Sequence, residues 1–199
     1  MFNLSIDLTK DKILKSLILF AIPIFISNIF QQLYNTADTM IIGNVLGDSS
    51  LAAIGACTAV YDLLVGFALG VGNGLSIVVA RSYGSKDEVL LKRSVAVAIV
   101  IGIFLTLSIM IISQLGLYPL LQLLDTPSNI INESYSYIST ITLFVSVMFA
   151  YNLCAGLLRA IGNSFIPLVF LIISSIINVI LDLLFMTKFG MGIRGAAIA

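Results

Sequence analysis

Residues 13–42 read ILKSLILFAIPIFISNIFQQLYNTADTMII, an apolar run with two charges, Lys15 near its start and Asp38 near its end. A helix needs about 20 apolar residues to span hydrocarbon, so this run is long enough to cross a bilayer. A carboxylate near the centre of such a helix costs roughly 2.5–3.5 kcal/mol on insertion scales, and a chain that keeps one uses it for a proton, a cation or a substrate. Asn28, Gln31, Asn35 and Asp38 recur at steps of three, four and three, which stacks them on one side of the helix beside Gln32 and Tyr34. Polar side chains seldom face lipid, so the stripe lines a cavity or meets another helix. Interhelical hydrogen bonding alone would account for the amides. The ionisable Asp38 that closes the stripe favours a functional reading. Pro23 removes a backbone donor and is expected to kink the helix, as a structural break or as a hinge.

The same pattern repeats along the chain. Apolar stretches at 13–42, 51–80, 94–118, 135–158 and 164–186 predict five transmembrane helices, and a sixth is expected to start at Gly195. The fold class is an all-α integral membrane protein. Hydrophobic residues make up 59% of the chain, charged residues 10%, and the mean hydropathy is +1.12, whereas a soluble domain carries about 25% charge. Zero net charge and the lack of a basic cluster exclude nucleic acid as a partner. Histidine is absent, which removes the commonest general base and metal ligand. Cys57 and Cys154 read as small packing residues rather than a disulfide or metal pair. The first apolar run is too long for a cleavable signal peptide. With no polar flank after the sixth helix begins, the chain is expected to be the amino-terminal part of a longer protein.

Lys and Arg set the orientation. With the amino terminus inside the cell, the inner segments hold Lys10, Lys12, Lys15, Arg81, Lys86, Lys92, Arg93 and Arg159, against Lys188 and Arg194 outside. Residues 43–50 are expected to turn outside and residues 81–88 to form a cytoplasmic turn. Residues 119–124 fit a surface helix, followed by a turn in which Ser128 is a candidate N-cap.

Asn178 and Asp182 form an i,i+4 pair on the fifth apolar stretch. At about 1.5 Å per residue, Asp38 lies roughly 34 Å along from Lys15 and Asp182 roughly 27 Å along from Ser164. Both therefore fall in the outward half and meet if their helices are neighbours. Two carboxylates and an amide oxygen make a hard-oxygen site suited to a proton or a small cation. Asp62 is a third intramembrane acid. Tyr61-Asp62 invites comparison with intramembrane aspartyl proteases, but the second Gly-x-Gly-Asp motif is missing, so the chain is read as a non-enzyme and Asp62 as cavity-lining or locally paired. Gly66, Gly70 and Gly74 recur every four residues, a spacing that predicts close helix packing.

Taken together, these strings resemble the amino-terminal half of the MATE (multidrug and toxic compound extrusion) family. They are Pro23 with Gln31-Gln-Leu-Tyr-Asn-Thr-Ala-Asp38, Ile42-Gly, Leu51-Ala-Ala-Ile-Gly55, Ala80-Arg-Ser-Tyr-Gly-Ser-Lys-Asp87, Leu120-Leu-Gln-Leu-Leu-Asp-Thr-Pro127, Leu158-Arg-Ala-Ile-Gly-Asn163 with Pro167, Asn178-Val-Ile-Leu-Asp182 and Gly192-Ile-Arg-Gly-Ala-Ala197. The resemblance implies twelve helices in two lobes around a central cavity, with export of organic, often cationic, compounds driven by proton or sodium entry. It implies a cation site at Asp38, Asn178 and Asp182, with Tyr137 nearby, and a bend at Pro23 linked to its occupancy. It implies no cofactor beyond the coupling ion, H⁺ or Na⁺. The partners would be the lipid bilayer, small organic substrates and a carboxy-terminal lobe, in the plasma membrane. Asp62 matches no family role, and the family's threonine early in the sixth helix falls at or beyond the last residues. Two other readings stand beside it. A lipid-linked saccharide flippase of the same superfamily would need mid-membrane Arg or Lys for pyrophosphate, which these stretches lack. A non-transporting half-lobe would leave the carboxylates without a role.

Overall fold

The computed structural model describes residues 13–199, so Lys10 and Lys12 lie outside the described residues. The chain folds into α1 (Ile13–Leu46), α2 (Asp48–Gly84), α3 (Glu88–Leu123), α4 (Ile131–Leu143), α5 (Val145–Ala160), α6 (Phe165–Leu183), a π-helical turn (Leu184–Lys188) and α7 (Ile193–Ile198), with no strand among the described residues. Helices α1, α2, α3 and α6 with its π turn are each long and apolar enough to span a membrane, and α4 with α5 makes a fifth span bent by 47°. The protein is an all-α multi-pass membrane protein.

Most helices run past their apolar stretches, because polar residues continue a helix into water as readily as apolar ones. The outer turn expected at 43–50 shrinks to a break at Gly47, whose φ of 86° is open to glycine. The turn between α2 and α3 closes on Asp87, whose carboxylate accepts from Leu90 N at 2.9 Å and caps α3. Residues 119–123 are not a separate surface helix; they continue α3 through Pro119. Ser128 does not cap α4. Instead the Pro127 carbonyl accepts from the N–H groups of both Ile130 and Ile131 at 3.0 Å. The sixth helix begins at Ile193, two residues before the expected Gly195.

The single helix expected at 135–158 is broken at Phe144, without a proline or glycine to break it. Gln114 of α3 reaches α4 just before the break. Its Nε2 donates to the Ser139 carbonyl and to Thr142 Oγ1, each at 2.8 Å. Phe144 N then reaches both Thr140 O and Ile141 O.

Helix α2 is the hub and packs on α1, α3, α4 and α5. Cys57, Val60 and Leu64 meet Leu117 and Leu121 of α3 and Ile131 and Ile138 of α4 in one cluster. Ala68 meets Ala98, Phe149 and Leu153 in a second. Cys57 is buried, as a packing residue should be, but Cys154 is exposed. At one end of the bundle, Ser49 and Ser50 donate to the Glu133 carboxylate, and Arg194 Nε donates to Ser136 Oγ at 2.6 Å, which ties the start of α2 and α7 to α4.

The glycine reading needs correcting. Gly66, Gly70 and Gly74 pack against nothing: a Cβ at any of them would meet no atom within 4 Å. Gly72 does the packing, next to the Asn152 carbonyl of α5, while a Cβ on Gly156 of α5 would lie 3.2 Å from Gly72 O. Glycines two residues apart point about 200° away from each other around a helix, so only one phase of the repeat can face the partner. The spacing alone does not say which. In the full-length protein, Gly156→Leu is expected to lower stability by about 1–3 kcal/mol through overpacking. Gly70→Ala is expected to be neutral or to gain up to about 1 kcal/mol in helix propensity. Thermal unfolding in detergent distinguishes the two.

Candidate functional site

The packing of α1 against α6 brings the carboxylates of Asp38 and Asp182 together. Asp38 and Asp182 lie within hydrogen-bonding reach of each other, and Asp182 is fully buried. No donor meets them. Asp38 Oδ1, both carboxylate oxygens of Asp182 and Asn178 Oδ1 are buried without a hydrogen-bond partner among the described residues. Only one other buried side-chain oxygen there is in this condition, that of Thr126 in the α3–α4 turn. Two facing carboxylates repel unless a proton or cation sits between them. The three hard-oxygen side chains make a donor set that a proton or Na⁺ could use.

Three phenols surround this pair. Tyr34, one turn before Asp38 on α1, lies in the field of both carboxylates. Tyr137 of α4 lies in the field of Asp38 and beside Tyr61, Tyr34 and Cys57. Tyr61 of α2 lies in the field of Asp38 and of its own neighbour Asp62. Tyr61 is not among the residues expected at this site, and its neighbour Asp62 gives no sign of it, because adjacent residues point about 100° apart around a helix.

The remaining candidates do not join the cluster. Asn28, Gln31, Gln32 and Asn35 are exposed along α1, and Gln32 and Asn35 line an open pocket of about 380 Å³ with Thr36, Thr39 and Met40. Asp62 is exposed on α2. Pro23 lies inside α1, and its carbonyl accepts from Ser27 Oγ at 2.8 Å.

A multi-span helical lobe that holds two carboxylates and an amide oxygen in its interior, with an exposed amide stripe on one helix, has the makings of a membrane transporter. The comparisons agree. The MatE family model matches residues 23–184. The chain is 31% identical over 195 residues to the probable multidrug resistance protein YoeA of Bacillus subtilis (strain 168), covering 96% of this chain and 42% of that one. It is 32% identical to the probable multidrug resistance protein YpnP of the same organism, covering 96% of this chain and 43% of that one. Among solved structures it resembles an outward-facing multidrug resistance MATE family transporter of the MOP superfamily, with a TM-score of 0.89 at 25% identity, over 98% of this chain and 43% of that one. The chain belongs to the MatE family. It spans less than half the length of these relatives.

The site makes a direct prediction. Asp182→Asn sets an amide donor against Asp38 and removes the charge pair. The full-length variant is expected to unfold no lower than wild type at neutral pH without Na⁺. A cation held by the pair would raise the wild-type Tm, worth about 2.7 kcal/mol at a hundredfold excess over Kd, and the variant is expected to lack that shift. Unfolding scans across sodium at fixed pH, and across pH at fixed sodium, measure both effects.

Proposed function

We propose that this chain is the amino-terminal lobe of a cation-coupled exporter of organic, often cationic, compounds. The observation that carries this reading is the cluster of four buried acceptor oxygens on Asp38, Asn178 and Asp182 that no protein donor meets. In hydrocarbon such groups are tolerated where they bind an ion or pair with one another. Occupancy by H⁺ or Na⁺ shifts the balance of inward and outward states by no more than the ion's differential affinity for them. Pro23 is proposed as the hinge of α1 through which occupancy is felt, because it breaks the backbone bond to Leu19. Tyr137 is proposed to shape the site from α4. The exposed amides of α1 are proposed to line the substrate path, with a second lobe closing the other side. The membrane is proposed to be the plasma membrane with the amino terminus inside, on the eight-to-two split of basic residues.

The complete parent protein, reconstituted in proteoliposomes, tests this by efflux of a fluorescent organic cation under imposed Na⁺ and H⁺ gradients. Wild type should respond to one gradient, and Asp38→Asn and Asp182→Asn should each lose at least about tenfold of that rate, the scale of a single lost ion contact of about 1.4 kcal/mol. Efflux indifferent to both gradients and both substitutions would make the carboxylates structural.

A further inference from the structure

The first turns of α4 are tied to neighbouring helices by three adjacent sets of side-chain hydrogen bonds. Ser134, fully buried, donates from Oγ to the Ala53 carbonyl of α2 at 3.1 Å, and its own carbonyl accepts from Cys57 Sγ at 3.3 Å. Ser136 Oγ accepts from Arg194 Nε of α7 at 2.6 Å. Half-buried Glu133 accepts from Ser49 Oγ at 3.3 Å and from the Oγ of the buried Ser50.

Glu133 answers a need of α2. That helix begins at Asp48 after Gly47, which has no side chain to cap it. The first N–H groups of a helix lack partners and carry a partial positive charge. A carboxylate bonded to the second and third residues of α2 places negative charge there, and it comes from another helix. Glu133 therefore completes the start of α2 while fixing the start of α4.

The three tethers surround one side chain. At about 100° per residue, Tyr137 points roughly 40° around α4 from Glu133, inside the arc that runs from Ser136 through Glu133 to Ser134. Its ring packs against the cluster of Ala53, Ile130 and Ile193, so α2 and α7 hold its face as well as its flanks. Tyr137 is also the α4 residue in the field of Asp38.

We propose that Glu133 is a positioning residue for the cation site: by holding the first turns of α4 to α2, it keeps the Tyr137 hydroxyl turned towards Asp38. The inference rests on the cation-coupled reading above and extends it to an acid one turn from Tyr137. A phenol can donate to a carboxylate or offer its oxygen to a cation, so its direction sets how well the site holds an ion. Glu133 acts through its hydrogen bonds and not through its charge. Glutamine separates the two, because its carbonyl accepts from one serine while its amide donates to the other hydroxyl.

The test uses the full-length protein with Na⁺ and H⁺ as probes. The midpoint of the cation-dependent Tm shift is read across sodium at fixed pH and across pH at fixed sodium. Glu133→Ala is expected to move that midpoint about tenfold towards higher cation, the scale of losing an outer-shell partner of an ion ligand. Glu133→Gln is expected to stay within about twofold of wild type, since it keeps both bonds. Ser50→Ala removes the bond from the α2 side and should move the midpoint in the same direction as Glu133→Ala, so no single variant has to fold. In a Tyr137→Phe background, Glu133→Ala is expected to add less than about twofold, because two residues acting through one group are not additive. Equal weakening with and without the Tyr137 hydroxyl overturns the inference. So does a Glu133→Gln midpoint as poor as that of Glu133→Ala, which would make the effect one of charge at a distance. A lower Tm with an unmoved midpoint in both Glu133→Ala and Ser50→Ala overturns it too, and makes the tether structural. In all three cases wild type keeps its cation-dependent shift and the cation-coupled reading stands. Wild type with no saturable shift on either axis overturns both.

Discussion

Hydrocarbon offers no water to a polar group, and the whole structure follows from how each such group is satisfied. Backbone donors and acceptors are consumed by the helices themselves. Hydroxyls within the spans bond back to their own helix: Ser27 to Pro23 O, Thr106 to Gly102 O, Ser108 to Phe104 O and Ser175 to Leu171 O, all between 2.8 and 2.9 Å. These side chains ask nothing of their neighbours. Gln114 asks one thing, and it takes the backbone of α4 to satisfy it. After this sorting, the spans retain one buried group of acceptors without donors, on Asp38, Asn178 and Asp182. The site is thus defined by what the fold does not supply as much as by what it brings together.

The supports of that site come from separate elements. Helix α6 carries two of its three residues, one turn apart. The bend at Phe144 separates the half of the fourth span that carries Tyr137 from the half that packs on α2 through Gly156. An unbroken helix could not lean towards Asp38 at one end and lie against Gly72 at the other along independent directions.

Much of this was legible in the sequence, and the limits are instructive. Apolar runs located the five spans because hydropathy reports the solvent directly. The heights of Asp38 and Asp182 followed from rise per residue. Their adjacency did not, since depth says nothing about which helices are neighbours. The bend in the fourth span was hidden because neither a proline nor a glycine marks it. The glycines misled for a geometric reason: Gly66, Gly70, Gly72 and Gly74 offer two phases on one helix, and only the shape of α5 selects Gly72. Helix ends ran longer than the apolar runs because Arg81 and Glu88 sit comfortably in helix outside the membrane, where hydropathy is silent.

Burial along α1 bears on how such a site does work. Among its described side chains only Ser16 and Ile42 are fully buried, and the stretch between them contains Pro23, the amide stripe and Asp38. That stretch packs on α6 and α2, and Pro23 leaves the Leu19 carbonyl without its helical donor. Two carboxylates set between α1 and α6 repel across that contact unless a positive charge neutralises them, while α6 has Leu171, Ser175 and Asp182 buried along its length. Neutralising the pair would therefore act on the contact between α1 and α6 rather than elsewhere in the bundle. Between α2 and α5, where Gly72 meets Gly156 backbone to backbone, there is no such charge to neutralise.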